Sequence, residues 1–176
     1  MFHLRLSIFI IYSRSSIIFL MEKMKKYIGF TKVALPYGWL GNMSAFPIEY
    51  CGQTWKTSEA LFQALRFDDL EIKAKIQAQQ SPMAAKMVAK PVAYKQVVQP
   101  KSEQDLKNME LCLNLKLDQH PELKKLLNET GDAILFEDVR ARPHGNNLFW
   151  GAILTTDELI GENKLCEIWM RLRANL

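Results

Sequence analysis

The chain has 176 residues, of which 48% are hydrophobic, 24% charged and 10% aromatic, a composition that excludes fibrous and disordered proteins and suits one domain with one core. The formal net charge of +4 is confined to residues 1–26, where Arg5, Arg14, Lys23, Lys25 and Lys26 face Glu22, so that the remaining 150 residues carry 18 basic and 18 acidic side chains. A body that is neutral on balance has no broad phosphate-binding face, and general nucleic-acid binding is not expected of it. Residues 1–20, MFHLRLSIFIIYSRSSIIFL, are apolar but broken by Arg5 and Arg14. Their longest uncharged stretch, residues 6–13, is too short to span a bilayer, so no stable membrane span is expected. It could pass for the apolar part of a signal peptide, but no small-residue cleavage site follows. An early start is expected, with Met21 or Met24 the natural beginning. Residues 1–26 are thus an apolar, basic extension and residues 27–176 the domain.

Along the body, residues 27–33 suit a short strand. The stretch LPYGWLGNMSAFP is turn-rich, with Gly38, Gly41, Asn42 and two prolines. Residues 48–50, a Cys-Gly turn and residues 53–55 form a hairpin pattern. Helices are predicted over residues 58–67 and 69–80, and a third begins at Ser81-Pro82 with an N-cap and a proline at the first helical position. Residues 91–100 are irregular. Ser102 and Asp105 have the spacing of a capping box, and the helix they open carries Leu106, Met109, Leu113 and Leu117 at helical spacing. His120-Pro121 opens another helix, closed by Gly131 at the C′ position. Residues 133–139 are strand-like, a polar loop RARPHGNN follows, and then the apolar run LFWGAIL. Asn163 is expected to cap a last helix that has Leu165, Ile168, Trp169 and Leu172 on one face. The predicted class is α+β: a predominantly helical single domain with a few short strands. Cys51, Cys112 and Cys166, and His3, His120 and His144, are scattered without metal-ligand spacing, which fits a reduced, cytoplasmic compartment and no metal site.

One stretch raises a chemical question. GQTWKTSEALFQALRF, residues 52–67, places Glu59 in the first turn of a helix among Trp55, Phe62 and Phe67. At 100° per residue, Glu59, Phe62, Gln63 and Arg66 fall in one stripe, while Leu61 and Leu65 point elsewhere. A glutamate in the first turn is ordinary helix punctuation, because free N–H groups and the helix dipole favour the ionised carboxylate there. By that reading Trp55 and Phe62 are core. Position alone therefore assigns Glu59 no chemistry.

The wider pattern does. LGNMSAFPI and GQTWKTSEALFQALRF, through Asn42, Pro47, Gly52, Trp55, Thr57, Ser58, Glu59, Phe62, Gln63 and Phe67, resemble the NADAR family, the YbiA-like N-glycosidases. That family has an F-S-N-F turn, P-I, and then G-x-x-W-x-T-S-E-x-x-F-Q-A-x-x-F. SPMAAKM, the run MELCLNLKLDQHPELKKLLNETGDAILFE, FWG and GENKLCEIWMRLR resemble its later segments in order, so the resemblance covers about residue 27 to the C-terminus. It implies hydrolysis of a bond between a ribose carbon and a nitrogen base. The substrate would be a ribosylamino-pyrimidine phosphate of riboflavin synthesis or ADP-ribosylated guanine in nucleic acid.

The resemblance makes Glu59 a catalytic carboxylate and Asn147 the second catalytic position, where the family usually has Asp. Asn42, Trp55, Phe62, Gln63, Arg66, Arg140, Trp150, Gly151 and Asn163 become the substrate-binding candidates, with Arg142 a further candidate for a phosphate. Asn is isosteric with Asp but cannot act as a base. The family's Trp before the long central helix is also missing, and Ala60 stands where many members have His. The alternative is a non-catalytic relative that binds ADP-ribose or another nucleotide. No cofactor is implied, since water and a carboxylate suffice for the chemistry.

Overall fold

A computed structural model describes residues 26–156 and 158–176; the expectations about residues 1–25 lie outside the described residues. The chain order is β1 (Tyr27–Phe30), a 3-10 turn (Gly38–Leu40), β2 (Ile48–Tyr50), β3 (Gln53–Trp55), α1 (Ser58–Ala64), α2 (Leu70–Gln77), α3 (Pro82–Ala89), a second 3-10 segment (Lys90–Lys95), α4 (Glu103–Gln119), α5 (Pro121–Glu129), β4 (Ile134–Glu137), α6 (Asn146–Trp150), β5 (Ile153–Leu154), β6 (Leu159–Ile160) and α7 (Lys164–Ala174). The α+β reading holds. The strands form three separate two-stranded pairs: β1 with β4 in parallel, β2 with β3 and β5 with β6 antiparallel. No helix among the described residues is long and apolar enough to cross a membrane.

Local chemistry sets the helix starts. The Thr57 hydroxyl accepts from the Ala60 N–H and opens α1, Asp69 accepts from Glu71 and Ile72 at α2, and Ser81 accepts from Ala84 at α3. At α4, Ser102 accepts from the Asp105 N–H, but Asp105 does not return the bond as a capping box would. Its carboxylate turns to the Lys101 N–H and to Arg66. Gly131, at φ 58°, ends the chain's turn after α5 as the predicted C′ residue.

Several predicted lengths are corrected. Helix α1 stops at Ala64 and not at Phe67, α2 spans Leu70–Gln77, and the first and fourth strands end at Phe30 and Glu137. The irregular stretch after residue 90 begins with 3-10 structure. The run LFWGAIL is divided between α6 and β5. Asn163 sits at the N-cap of α7 at φ 54°, but its side chain does not cap; it donates to the Leu135 carbonyl of β4 at 2.8 Å.

The core gathers Leu40, Ile48, Leu61, Phe62, Phe67, Leu113, Leu135 and the fully buried Trp169. Trp169 ties α7 to the loop before β2: its indole N–H donates to the Leu40 carbonyl at 2.8 Å, and Trp39 meets it edge to face at 5.9 Å. Lys116 of α4, also fully buried, holds the same loop through the Trp39 and Gly41 carbonyls and the Ser44 hydroxyl. Desolvation dominates over these acceptors and brings its ammonium down to about 7 from 10.5. Between those values the unfolded chain holds one more proton than the folded chain, so Lys116 makes stability rise with pH across that window, by up to about 1.4 kcal/mol per pH unit. Lys116→Met is expected to flatten the rise, which denaturant unfolding at about pH 7 and about pH 10 measures.

Gly151 is required by a close approach. A Cβ there would lie 2.5 Å from the Glu137 carbonyl and 2.7 Å from Val139, because the Ala152 N–H donates back to Glu137 and draws the two backbones together. Gly151→Ala is expected to lower stability by about 1–3 kcal/mol by forcing these segments apart, read as a lower thermal midpoint.

Candidate active site

The turn after Gly38–Leu40 delivers Asn42 to the N-terminus of α1, where it grips Glu59 twice. Its carbonyl accepts the Glu59 N–H at 3.0 Å, and its side-chain amide donates to Glu59 Oε2 at 2.8 Å. One helical turn on, Gln63 donates to Oε1 at 2.8 Å. Glu59 is only 6% exposed, and each of its oxygens receives an N–H, the contacts that an ionised carboxylate takes. Gln63 is oriented in turn. Its amide nitrogen meets the carboxylate and its oxygen faces the Arg66 guanidinium at 3.5 Å, an arrangement the flipped amide would not satisfy. Arg66 completes the chain with two bonds of 2.7 Å to both oxygens of the fully buried Asp105 on α4.

Glu59, Gln63 and Arg66 border a cavity of about 410 Å³, a volume in the range of small-ligand sites. Phe62 and Trp150 form an aromatic wall, meeting edge to face at 5.5 Å, with Phe149 behind Trp150 at 4.9 Å. The Arg66 guanidinium lies 4.3 Å from the Phe62 ring centre and fixes the ring from another side. Asn42, Asn146 and Asn147 add polar edges, and Lys32 and Lys86 contribute positive charge.

A second carboxylate, Glu137 at the end of β4, also lines the cavity. Burial pushes its carboxyl above the ordinary range, and the charge of Glu59 adds to this, while Lys86 and Arg142 oppose it. Neither Glu137 nor Lys86 is among the residues singled out from the sequence. Two signals were available: the strand-like pattern ILFED, which does not say which of the adjacent acids, Glu137 or Asp138, faces the cavity, and the family-like run MELCLNLKLDQHPELKKLLNETGDAILFE, which ends on Glu137 but gives it no role.

Of the residues expected at a site, Glu59, Asn147, Asn42, Phe62, Gln63, Arg66 and Trp150 come together around this cavity. Trp55, Arg140, Gly151 and Asn163 do not line it. Trp55 is buried in the core. Arg140 is exposed and paired with Asp138 at 2.8 Å. Gly151 serves the backbone approach to Glu137, and Asn163 anchors α7 to β4. Asn147 donates to the Arg142 carbonyl at 2.8 Å and thereby closes the polar loop after β4. Arg66 has its forked donors committed to Asp105.

Fold and cleft together define a small α+β protein in which two carboxylates and aromatic rings line one cavity. Residues 21–176 match the family model of the NADAR domain, and the chain belongs to that family. N-glycosidase YbiA of Escherichia coli (strain K12) is 33% identical over 155 residues, which cover 85% of this chain and 88% of that protein. N-glycosidase YbiA of Shigella sonnei gives the same identity and coverage. The NMR structure of the Escherichia coli protein YbiA superposes with a TM-score of 0.68 at 30% identity, covering 86% of each chain.

Proposed function

We propose that this chain hydrolyses the bond between a ribose carbon and a nitrogen base, in a ribosylamino-pyrimidine phosphate or in ADP-ribosylated guanine. Its family and its relatives named as N-glycosidases make it an enzyme, a hydrolase acting on N-glycosyl compounds. The observation that carries the finer reading is Glu59, buried, held by two amide donors and set on an aromatic-walled cavity.

Breaking a ribosyl–nitrogen bond leaves positive charge on the sugar carbon and ring oxygen. A fixed carboxylate in a site shielded from water stabilises that charge without reorganising, and the same oxygen can take a proton from the attacking water. Phe62 and Trp150 offer a surface for the base. Asn42 and Gln63 hold the carboxylate, and Lys32 and Lys86 are the cations available to a phosphate.

The second reading, a non-catalytic nucleotide binder, draws on Asn147, which cannot serve as a base. Incubating the protein with ribosylamino-pyrimidine phosphate or ADP-ribosylated guanine, and separating free base by chromatography, distinguishes the two. Base release is expected; saturable binding without release at any protein concentration would favour the binder.

A further inference from the structure

The cavity holds two carboxylates in opposite circumstances. Glu59 has an amide donor on each oxygen, whereas among the described residues no hydrogen-bond donor reaches the Glu137 carboxyl. Two carboxyls that share one cleft in different surroundings can take up separate acid and base duties.

We propose that Glu137 is the general acid of this site, passing its carboxyl proton to the departing base nitrogen while Glu59 faces the sugar carbon. The inference rests on the glycosidase reading above. As the C1′–N bond breaks, its electron pair goes to nitrogen and the Glu137 proton follows it. Water supplies the new C1′–O bond and gives its proton to Glu59. That proton returns to Glu137 through solvent, and each carboxyl ends in its starting state. The atoms balance with water as the only co-reactant.

The neighbours of Glu137 support this assignment. Asn147 lines the same cavity but has no carboxyl proton to give. Asp138, the next residue in the chain, is engaged by Arg140 through a 2.8 Å ion pair and a bond to the Arg140 N–H. The charged and titratable groups that act on Glu137 are Glu59 from α1, Lys86 from α3 and Arg142 from the following loop, with the Cys166 thiol of α7 close to its backbone. Burial and the Glu59 charge hold the proton on Glu137 to higher pH than an ordinary carboxyl; Lys86 and Arg142 moderate that effect. A general acid works in its protonated form, so the rate must fall as pH rises through its pKa, and Glu137 sets an alkaline limb of the profile.

The test uses the full chain and ribosylamino-pyrimidine phosphate. Glu137→Gln keeps the shape and removes the proton. It is expected to lower kcat by about 10²–10⁴-fold with little change in KM, and to abolish the alkaline limb of kcat/KM. Turnover within about threefold of the parent, or an alkaline limb that survives the substitution, would overturn the assignment. If Glu137→Gln does not melt cooperatively, Glu137→Asp takes its place: a shifted limb supports the assignment and an unshifted limb overturns it. If the parent releases no base from ribosylamino-pyrimidine phosphate, the same comparison is made with ADP-ribosylated guanine; absence of base release from both is a separate result, which removes the glycosidase reading and this inference with it.

Discussion

Glu59→Gln is expected to reduce kcat by about 10³-fold and to leave a folded, ligand-binding protein. The loss follows from charge. An amide has the shape of the carboxylate but neither its negative charge opposite the cationic sugar nor its capacity to take a proton from water. Survival of the fold follows from the hydrogen bonds. One donor, from Asn42 or Gln63, would face the new N–H group, but Asn42 Oδ1 is buried without a partner among the described residues. A flip of the Asn42 amide presents that oxygen to the new N–H group and leaves the Asn42 N–H₂ unpartnered in its place, a cost of about 1–3 kcal/mol. Thermal unfolding, nucleotide binding and base release measured together check the expectation. A folded variant with parental turnover would remove Glu59 from the chemistry.

Asp105→Ala is expected to be the most damaging change to stability, at about 3–5 kcal/mol, because it strands the Arg66 guanidinium inside the protein. The two residues are 39 positions apart and form a two-pronged contact with Asp105 fully buried. The Lys101 N–H loses its acceptor as well. In a domain of this size the thermal midpoint should fall by roughly 10 °C. The double change Arg66→Met with Asp105→Leu removes both charges and should recover most of that loss. It should not recover activity, because Gln63 then loses the guanidinium that orients its amide against Glu59. Stability restored while turnover remains impaired would separate the orienting role of the pair from its contribution to folding.

Much of this protein can be read from its chain because the relevant physics is local. Ser81 and Ser102 mark helix starts at which their side chains accept the first free N–H groups. Gly131 marks a helix end, and the Cys51-Gly52 turn joins β2 to β3. The stripe of Glu59, Phe62, Gln63 and Arg66 follows from helix period alone, and all four residues border the cavity. What the period could not reveal is that the stripe is buried, since a polar helix face is usually a solvated one. Its burial depends on α4 and on the loop carrying Asn42, neither of which is adjacent in sequence.

Other placements were set by surroundings that residue type does not encode. Asn163 has the residue type of a helix cap, but the Leu135 carbonyl, 28 positions away, takes its amide. Trp55 and Arg140 have residue types suited to a ligand, yet one is enclosed by the core and the other faces solvent. Glu137 ends a family-like strand segment, but residue type alone gives it no place on the cavity. Amino-acid order by itself determined the boundaries of the helices it predicted to within a few residues, the α+β class and the place of Glu59 in a first turn, but not the short helix α6. Only the tertiary structure decided which acids share a cavity: parallel pairing of β1 with β4 joins segments about a hundred residues apart, and Glu137 at the end of β4 lines the cavity that Glu59 of α1 also lines. Periodicity encodes the face on which a side chain lies; the neighbour that the face meets is set by packing across the whole chain.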